Sequence, residues 1–150
     1  MTQIRITKEF AFEAAHMLKG YDGVCKDIHG HSYRLIVTIV GSTITDTNSP
    51  KLGMVMDFGD LKRIVNEHIV NVFDHALIAN EAESAEKKMH LKAGTGKVIF
   101  THFQPTSENM VTEFAWIIKE KLPAPLLLHS LRLYETANSY AEWHAIDNRG

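Results

Sequence analysis

The sequence predicts an α+β protein in which helices cover one face of an antiparallel sheet. Near the N-terminus the apolar residues alternate as in a strand, whereas two later segments repeat them at helical spacing. Residues 126–136 and 140–146 are typical of a hairpin. The order is therefore ββ, α, short β, α, ββ, which favours helices packed on one side of a sheet. A chain of 150 residues is about one domain long, so residues 1–150 are expected to form one domain.

The first two strands are predicted from two different patterns. Between Ile4 and His16 the apolar residues share one parity, which is typical of a half-buried strand. These residues are Ile4, Ile6, Phe10, Phe12 and Ala14. Residues 32–41 are rich in β-branched side chains, which strands favour. The loop between the two strands contains Cys25, the only cysteine of the chain.

A first helix is predicted from Asp57, a good N-cap residue, to about Phe73. Five apolar residues behind Asp57 recur at helical spacing and should form one buried face. They are Phe58, Leu61, Val65, Ile69 and Val72.

The second half of the chain contains one further helix and three predicted strands. Residues 80–96 are polar and contain glycines, which indicates a long loop that could include a short helix. A short strand is predicted at 97–103. A helix then follows Thr106 and continues until Pro123, because proline cannot continue a helix. The hairpin described above ends the fold.

Composition excludes several classes of protein. The chain is 45% apolar and 23% charged with a net charge of −2, which gives no reason to expect nucleic acid or an anionic membrane as a partner. No apolar run approaches the roughly 20 residues that span a bilayer. The N-terminus lacks the apolar core of a signal peptide, so a cytoplasmic location is expected. A single cysteine cannot form an intrachain disulfide.

Three histidines are candidate ligands of one metal ion. His29 and His31 are two residues apart at the start of a strand, so their side chains point to the same face. Catalytic zinc usually has three protein ligands and one open position. His16 is the best third candidate, because antiparallel pairing would bring the end of the first strand beside His29 and His31. The other histidines lack such partners: His68, His90, His102, His129 and His144.

The role of Cys25 is open from the residues alone. It could be a fourth ligand that closes a structural zinc site, or a free thiol near the ion that acts as an acid, base or nucleophile. The neighbouring Asp74 and His75 could supply a base, since a carboxylate can fix the tautomer of an imidazole, although a cap at a helix end explains most such pairs. Glu135 lies on a strand that is otherwise apolar, and a solvent-facing position is its simplest explanation.

Six segments together resemble one known family from nearly one end of the chain to the other. They are "FEAAH" at 12–16, C-x-x-x-H-G-H at 25–31, "GMVMDFGDLK" at 53–62, "FDH" at 73–75, "QPTSEN" at 104–109 and "YET" at 134–136. The chain resembles the 6-pyruvoyl-tetrahydropterin synthase family and, within it, the bacterial 6-carboxytetrahydropterin synthases of queuosine biosynthesis.

The resemblance implies roles for nine residues. In the family, the residues that match His16, His29 and His31 bind Zn²⁺. The residue that matches Cys25 is catalytic rather than a ligand. Asp74 and His75 complete a proton relay with Cys25. Glu135 anchors the pterin ring through a bidentate carboxylate contact, and Thr106 and Ser107 help to hold that ring.

The resemblance also implies a fold and an assembly. The family has the tunnelling fold, expected here as an antiparallel four-stranded sheet with two helices on one face. Trimeric rings stack into hexamers with active sites at subunit interfaces, so a homohexamer is expected. The segment 80–104 is longer than in the shortest members of the family.

The implied reaction is a zinc-dependent cleavage of 7,8-dihydroneopterin triphosphate to 6-carboxy-5,6,7,8-tetrahydropterin, acetaldehyde and triphosphate. The three residues between Cys25 and His29 match this branch. The alternatives are a 6-pyruvoyl-tetrahydropterin synthase that eliminates triphosphate, an aldolase-like activity on a pterin, and a non-catalytic pterin- or metal-binding module. A folate-related branch is disfavoured because Asp27 stands near the position where that branch has Glu.

Overall fold

The structure is a computed structural model that describes residues 1–21 and 27–149. Its strands are β1 (Ile4–Met17), β2 (His29–Gly41), β3 (Ala76–Asn80), β4 (Val98–Thr101), β5 (Leu127–Thr136) and β6 (Ser139–His144). They form a six-stranded sheet in the order β4-β3-β1-β2-β5-β6. The predicted α+β class and the predicted strands at both ends of the chain are confirmed.

The expected four-stranded antiparallel sheet is wrong in both strand number and direction. Strands β1, β2, β5 and β6 are antiparallel neighbours as expected, but β3 and β4 extend the other side of β1 in parallel orientation. The sequence of β3, "ALIAN", has four buried residues in succession. A strand covered on both faces shows no polar alternation, so this segment lacked the signal by which β1 was found.

The core lies between the helices and one face of the sheet. Alternate residues of β1 and β2 point into it, and the buried residues of the two long helical segments pack against them. On β1 these include Phe10 and Phe12, and on β2 they include Tyr33 and Leu35. The rings of Phe12 and Tyr33 stack with their centroids 5.1 Å apart. The same face of both strands continues into the three candidate histidines.

The first helix is interrupted by a wider turn. It comprises α1 (Phe58–Val65), a π turn (Asn66–Val70) and α2 (Asn71–Phe73), and Asp57 caps it by accepting a hydrogen bond from the Gly59 N–H at 2.7 Å. Its buried residues are Leu61, Val65, Ile69 and Phe73. They recur at every fourth position, which exceeds about 3.6 residues per turn, and the π turn keeps the stripe on one side.

Two residues of the predicted apolar face are therefore wrongly placed. Phe58 is 49% exposed and Val72 is 40% exposed, because the buried stripe follows a spacing of four residues rather than a mean of 3.6.

The remaining helices differ in how they are stabilised. Helix α4 (Ser107–Lys121) packs on β5 and β6 and buries six residues. Helix α3 (Ala85–Gly94) has Ser84 as its N-cap and no buried residue, so it lies outside the core. It is the short helix that the long loop predicted at 80–96 could include. A 3₁₀ turn (Ala145–Asn148) follows β6. Within residues 1–21 and 27–149, every helix is too short or too polar to cross a bilayer.

Candidate active site

The pairing of β1 with β2 brings His16, His29 and His31 together. His16 lies directly opposite His29, and Ala14 lies opposite His31, so the three side chains share one face. Each imidazole offers a nitrogen that lies within 4.8 Å of the others. We refer to these three residues as the histidine cluster. The juxtaposition predicted from strand parity is present in the structure.

A backbone carbonyl determines the orientation of His16. Its Nδ1 lies 2.8 Å from the carbonyl oxygen of Pro105, and a carbonyl can only accept, so Nδ1 carries the proton. The Nε2 atom therefore presents a lone pair toward the centre of the cluster. His16 is only 2% exposed, which keeps this arrangement away from bulk water. Such a hydrogen bond to the second ring nitrogen is typical of metal-binding histidines.

Glu135 adds a carboxylate to the same point. Its Oε1 lies 3.4 Å from Nε2 of both His16 and His31. Tyr134 pairs with Arg34, so the next residue, Glu135, lies beside Tyr33 on the face of the histidine cluster. Its side chain is 28% exposed. The explanation of Glu135 as a merely solvent-facing strand residue is therefore wrong.

The surroundings of His31 favour its neutral imidazole. Burial is the largest cause of the shift and lowers the pKa of His31. The charge of Glu135 raises this pKa, and His16 and His29 lower it further. Burial, followed by the charge of Glu135, raises the pKa of Tyr33. The Tyr33 hydroxyl is buried without a hydrogen-bond partner among the described residues, so a polar atom remains to be satisfied beside the cluster.

This donor set fits a zinc ion. The Nε2 atoms of His16 and His31 lie 3.2 Å apart, and two ligands at about 2.05 Å from one tetrahedral zinc are separated by about 3.3 Å. Because the Nε2 of His16 and a carboxylate oxygen both direct lone pairs to this point, a cation between them removes their repulsion. Imidazole ligands suit zinc, as they also suit copper, iron and nickel.

Asp74 and His75 form a contacting pair at a separate position beside β1. Nδ1 of His75 lies 3.1 Å from Oδ2 of Asp74, and the His75 side chain is 79% exposed. The Asp74 carboxylate accepts the Glu13 backbone N–H at 2.9 Å. This hydrogen bond is the main cause that lowers the pKa of Asp74, and His75 and Lys97 lower it further. Glu13 is exposed and lies on the sheet face opposite to Ala14 and His16.

Of the other expected site residues, Thr106 and Ser107 directly follow Pro105 in the chain, and Cys25 is the exception. Thr106 is the N-cap of α4, and its hydroxyl accepts the Asn109 N–H at 3.2 Å. Ser107 is 8% exposed and follows two residues after Pro105. Cys25 lies outside the described residues, so its role stays a prediction.

Sequence reasoning missed two groups that shape the cluster. The Pro105 carbonyl has no side-chain signature, and only its place in the "QPTSEN" segment could have pointed to it. Tyr33 follows the H-x-H motif with the same parity as His29 and His31, so strand alternation would have placed its ring on their face. Strand parity would therefore have added the Tyr33 phenol to the expected site.

The fold and the site together define an α+β protein with a cluster of three histidines that could hold a metal ion, on a mixed sheet. Residues 5–145 match the family model for 6-pyruvoyl tetrahydropterin synthase. The chain belongs to this family.

Individual relatives agree with the family. The chain is 37% identical over 143 residues to a 6-carboxy-5,6,7,8-tetrahydropterin synthase of Haemophilus influenzae, which covers 93% of this chain and 97% of that protein. A Caenorhabditis elegans 6-pyruvoyl tetrahydropterin synthase structure matches 97% of both chains with a TM-score of 0.67 and 23% identity. A Plasmodium vivax 6-pyruvoyl tetrahydropterin synthase structure matches with a TM-score of 0.71 and 16% identity over 96% and 98% of the two chains. The expectation of an enzyme is confirmed by this family and its named relatives.

Replacing His31 by Ala should remove most of the bound zinc. Two remaining imidazoles are fewer than the three protein ligands of ordinary catalytic sites, so affinity should fall on the order of 100-fold or more. Metal analysis of the purified protein measures the loss, with His129→Ala, a half-buried histidine on β5, as the matched control. Full zinc occupancy in His31→Ala would contradict the assignment.

Proposed function

We propose that this protein is a zinc-dependent lyase that converts 7,8-dihydroneopterin triphosphate to 6-carboxy-5,6,7,8-tetrahydropterin, acetaldehyde and triphosphate, in queuosine biosynthesis. The observation that carries the proposal is the histidine cluster with the Glu135 carboxylate 3.4 Å from two of its nitrogens. That arrangement combines a metal site with an acceptor for a ring N–H. Atom balance requires that water also enters the reaction.

The ligand and substrate roles are divided by chemistry. His16, His29 and His31 hold the ion, and zinc bound there supplies Lewis-acid polarisation to the hydroxyl oxygens of the substrate side chain. Glu135 orients the pterin, since its two carboxylate oxygens match N–H donors along one edge of the ring. Ser107 and Thr106, at the start of α4, line the approach to the same ring.

Cys25, His75 and Asp74 move protons in the proposed reaction. Asp74 holds the His75 imidazole by its Nδ1, which leaves Nε2 to exchange a proton with the Cys25 thiol. Cys25 in turn exchanges a proton with the substrate. Because proton transfers between ring and side chain accomplish an internal redox change, the chain needs no nicotinamide or flavin.

We also propose a homohexamer, a dimer of trimers, in which the relay crosses a subunit interface. The support is the position of His75, whose side chain is 79% exposed and whose turn is hydrogen-bonded to the backbone of Glu13, an exposed residue of β1. A second subunit packed on this side would bury the imidazole and supply the rest of a site.

Mass analysis of the product tests the proposed function. Incubation of the zinc-loaded protein with 7,8-dihydroneopterin triphosphate should yield 6-carboxy-5,6,7,8-tetrahydropterin with acetaldehyde and triphosphate. Accumulation of 6-pyruvoyl-tetrahydropterin without acetaldehyde would instead identify the triphosphate-eliminating synthase. Binding without any turnover would identify a pterin-binding module.

Mixing two inactive variants tests the relay and its interface together. Cys25→Ala and His75→Ala should each lose nearly all turnover, and Cys25→Ala should keep its zinc. If each site draws Cys25 and His75 from different subunits, random co-assembly should restore roughly a quarter of the wild-type activity. A mixture that stays inactive although native mass spectrometry shows mixed hexamers would refute the interface. Absence of zinc from purified Cys25→Ala would show that Cys25 is a zinc ligand rather than a free catalytic thiol.

Replacing Glu135 by Gln should weaken substrate binding and leave zinc in place. The amide turns one acceptor into a donor that faces a ring N–H, a mismatch worth about 1–3 kcal/mol, or about 5- to 150-fold in affinity. Calorimetry with the substrate measures it. Glu142→Gln is the matched control, because Glu142 binds Arg132 on β5 rather than the cluster. Loss of zinc from Glu135→Gln would make this carboxylate a fourth ligand instead.

A further inference from the structure

Lys97 holds the turn that contains Asp74 and His75. Its ammonium donates to the backbone carbonyl of Asp74 at 2.8 Å and to that of Asn71 at 3.0 Å. Its own backbone carbonyl accepts the Leu77 N–H at 2.9 Å. Lys97 is half-buried. Through these hydrogen bonds it joins the chain before His75 to the chain after it.

The turn needs such support because His75 has an unfavourable backbone conformation. Its φ is +60°, in the left-handed region that non-glycine residues rarely adopt. Conformations of this kind persist only where the surroundings determine them. On one side, His75 N–H donates to the Glu13 carbonyl at 2.5 Å, and Asp74 accepts the Glu13 N–H. On the other side, the Lys97 ammonium donates a hydrogen bond to the Asp74 carbonyl.

The conformation has a direct chemical result. With His75 in this turn, its Nδ1 lies 3.1 Å from the Asp74 carboxylate, although the two residues are adjacent in the chain. A shift of φ toward the ordinary negative range would swing the imidazole away from Asp74. The tautomer of His75 would then no longer be determined by a carboxylate.

We propose that Lys97 is a positioning residue for the proton relay, which it serves by keeping His75 in the left-handed turn with Nδ1 on Asp74. The inference rests on the proposed function in that His75 and Asp74 move a proton. The competing account is purely structural: Asn71 lies in the last helical turn, where a cation stabilises the helix end. The two accounts differ in what happens to the imidazole when the ammonium is removed.

Three variants separate these accounts. Lys97→Met removes the charge and the donors but keeps most of the side-chain stem, and Lys97→Arg restores both charge and donors. Lys92→Met is the matched control, because Lys92 lies on exposed α3 with its ammonium 5.5 Å from the Phe100 ring centroid. Each zinc-loaded protein is measured for thermal stability, kcat, KM and the ¹H–¹⁵N spectrum of its imidazoles. A His75→Gln protein assigns the His75 signal.

The expected result is a change at His75 rather than a general loss of structure. In wild type the His75 signal should be that of the Nδ1–H tautomer, and in Lys97→Met it should shift toward the Nε2–H form. The kcat of Lys97→Met should fall about 10- to 100-fold with KM within about twofold, as expected when a reacting group is misplaced but binding is intact. Lys97→Arg should recover most of kcat, and Lys92→Met should match wild type in every measurement.

A Lys97→Met protein that melts at a lower temperature but keeps the wild-type His75 signal and kcat would overturn the proposal and leave only the helix cap. The spectrum needs no substrate, so it also separates this inference from the proposed function. A tautomer change in a protein that makes a different product would support Lys97 and refute the assigned reaction. If the protein makes the expected product but the His75 signal of Lys97→Met is unchanged, the assigned reaction is supported and the role of Lys97 is refuted.

Discussion

The antiparallel register between β1 and β2 places His16 opposite His29 and puts His31 two residues further along the same face. Because side chains alternate with a period of two, a slip of β2 by one residue would turn His29 and His31 to the side of the sheet opposite His16. The fully buried residues of β2 prevent that slip, since Leu35, Val37 and Ile39 would move from the core into water with them. The packing of the core and the geometry of the histidine cluster thus depend on the same strand register.

The buried cluster stores electrostatic repulsion that a cation relieves. Pro105 fixes the proton of His16 on Nδ1, so the lone pair of Nε2 and an oxygen of Glu135 face each other at 3.4 Å. Burial makes the opposition stronger, because the effective dielectric constant falls away from water. Metal binding at this point should therefore stabilise the fold as well as serve the proposed reaction. The Tyr33 hydroxyl, which has no hydrogen-bond partner within residues 1–21 and 27–149, adds a polar group to the same small volume.

Strand parity was sufficient to predict the meeting of His16 with the H-x-H pair, because β1 and β2 are long and one face of each is buried. The same method failed for β3, whose four successive buried residues carry no alternation. Helical spacing located the first helix but not its π turn, so Val72 was wrongly placed in the core. Glu135 could not be oriented from sequence, since its direction follows from pairing with β2. Backbone contacts, such as the Pro105 carbonyl, leave no residue pattern at all.

The π turn in the first helix has a consequence for how the chain can change in length. A π turn holds one residue more than an α turn would, so removing a single residue from 66–70 would leave a regular helix rather than a break. The buried residues would then follow one another at the mean spacing of about 3.6 residues that a regular helix requires, so the buried stripe would stay on one side. Asp74 and His75 would keep their direction toward Glu13 and Lys97. The extra residue of the π turn is therefore a position at which the chain can shorten by one residue without turning the end of the helix.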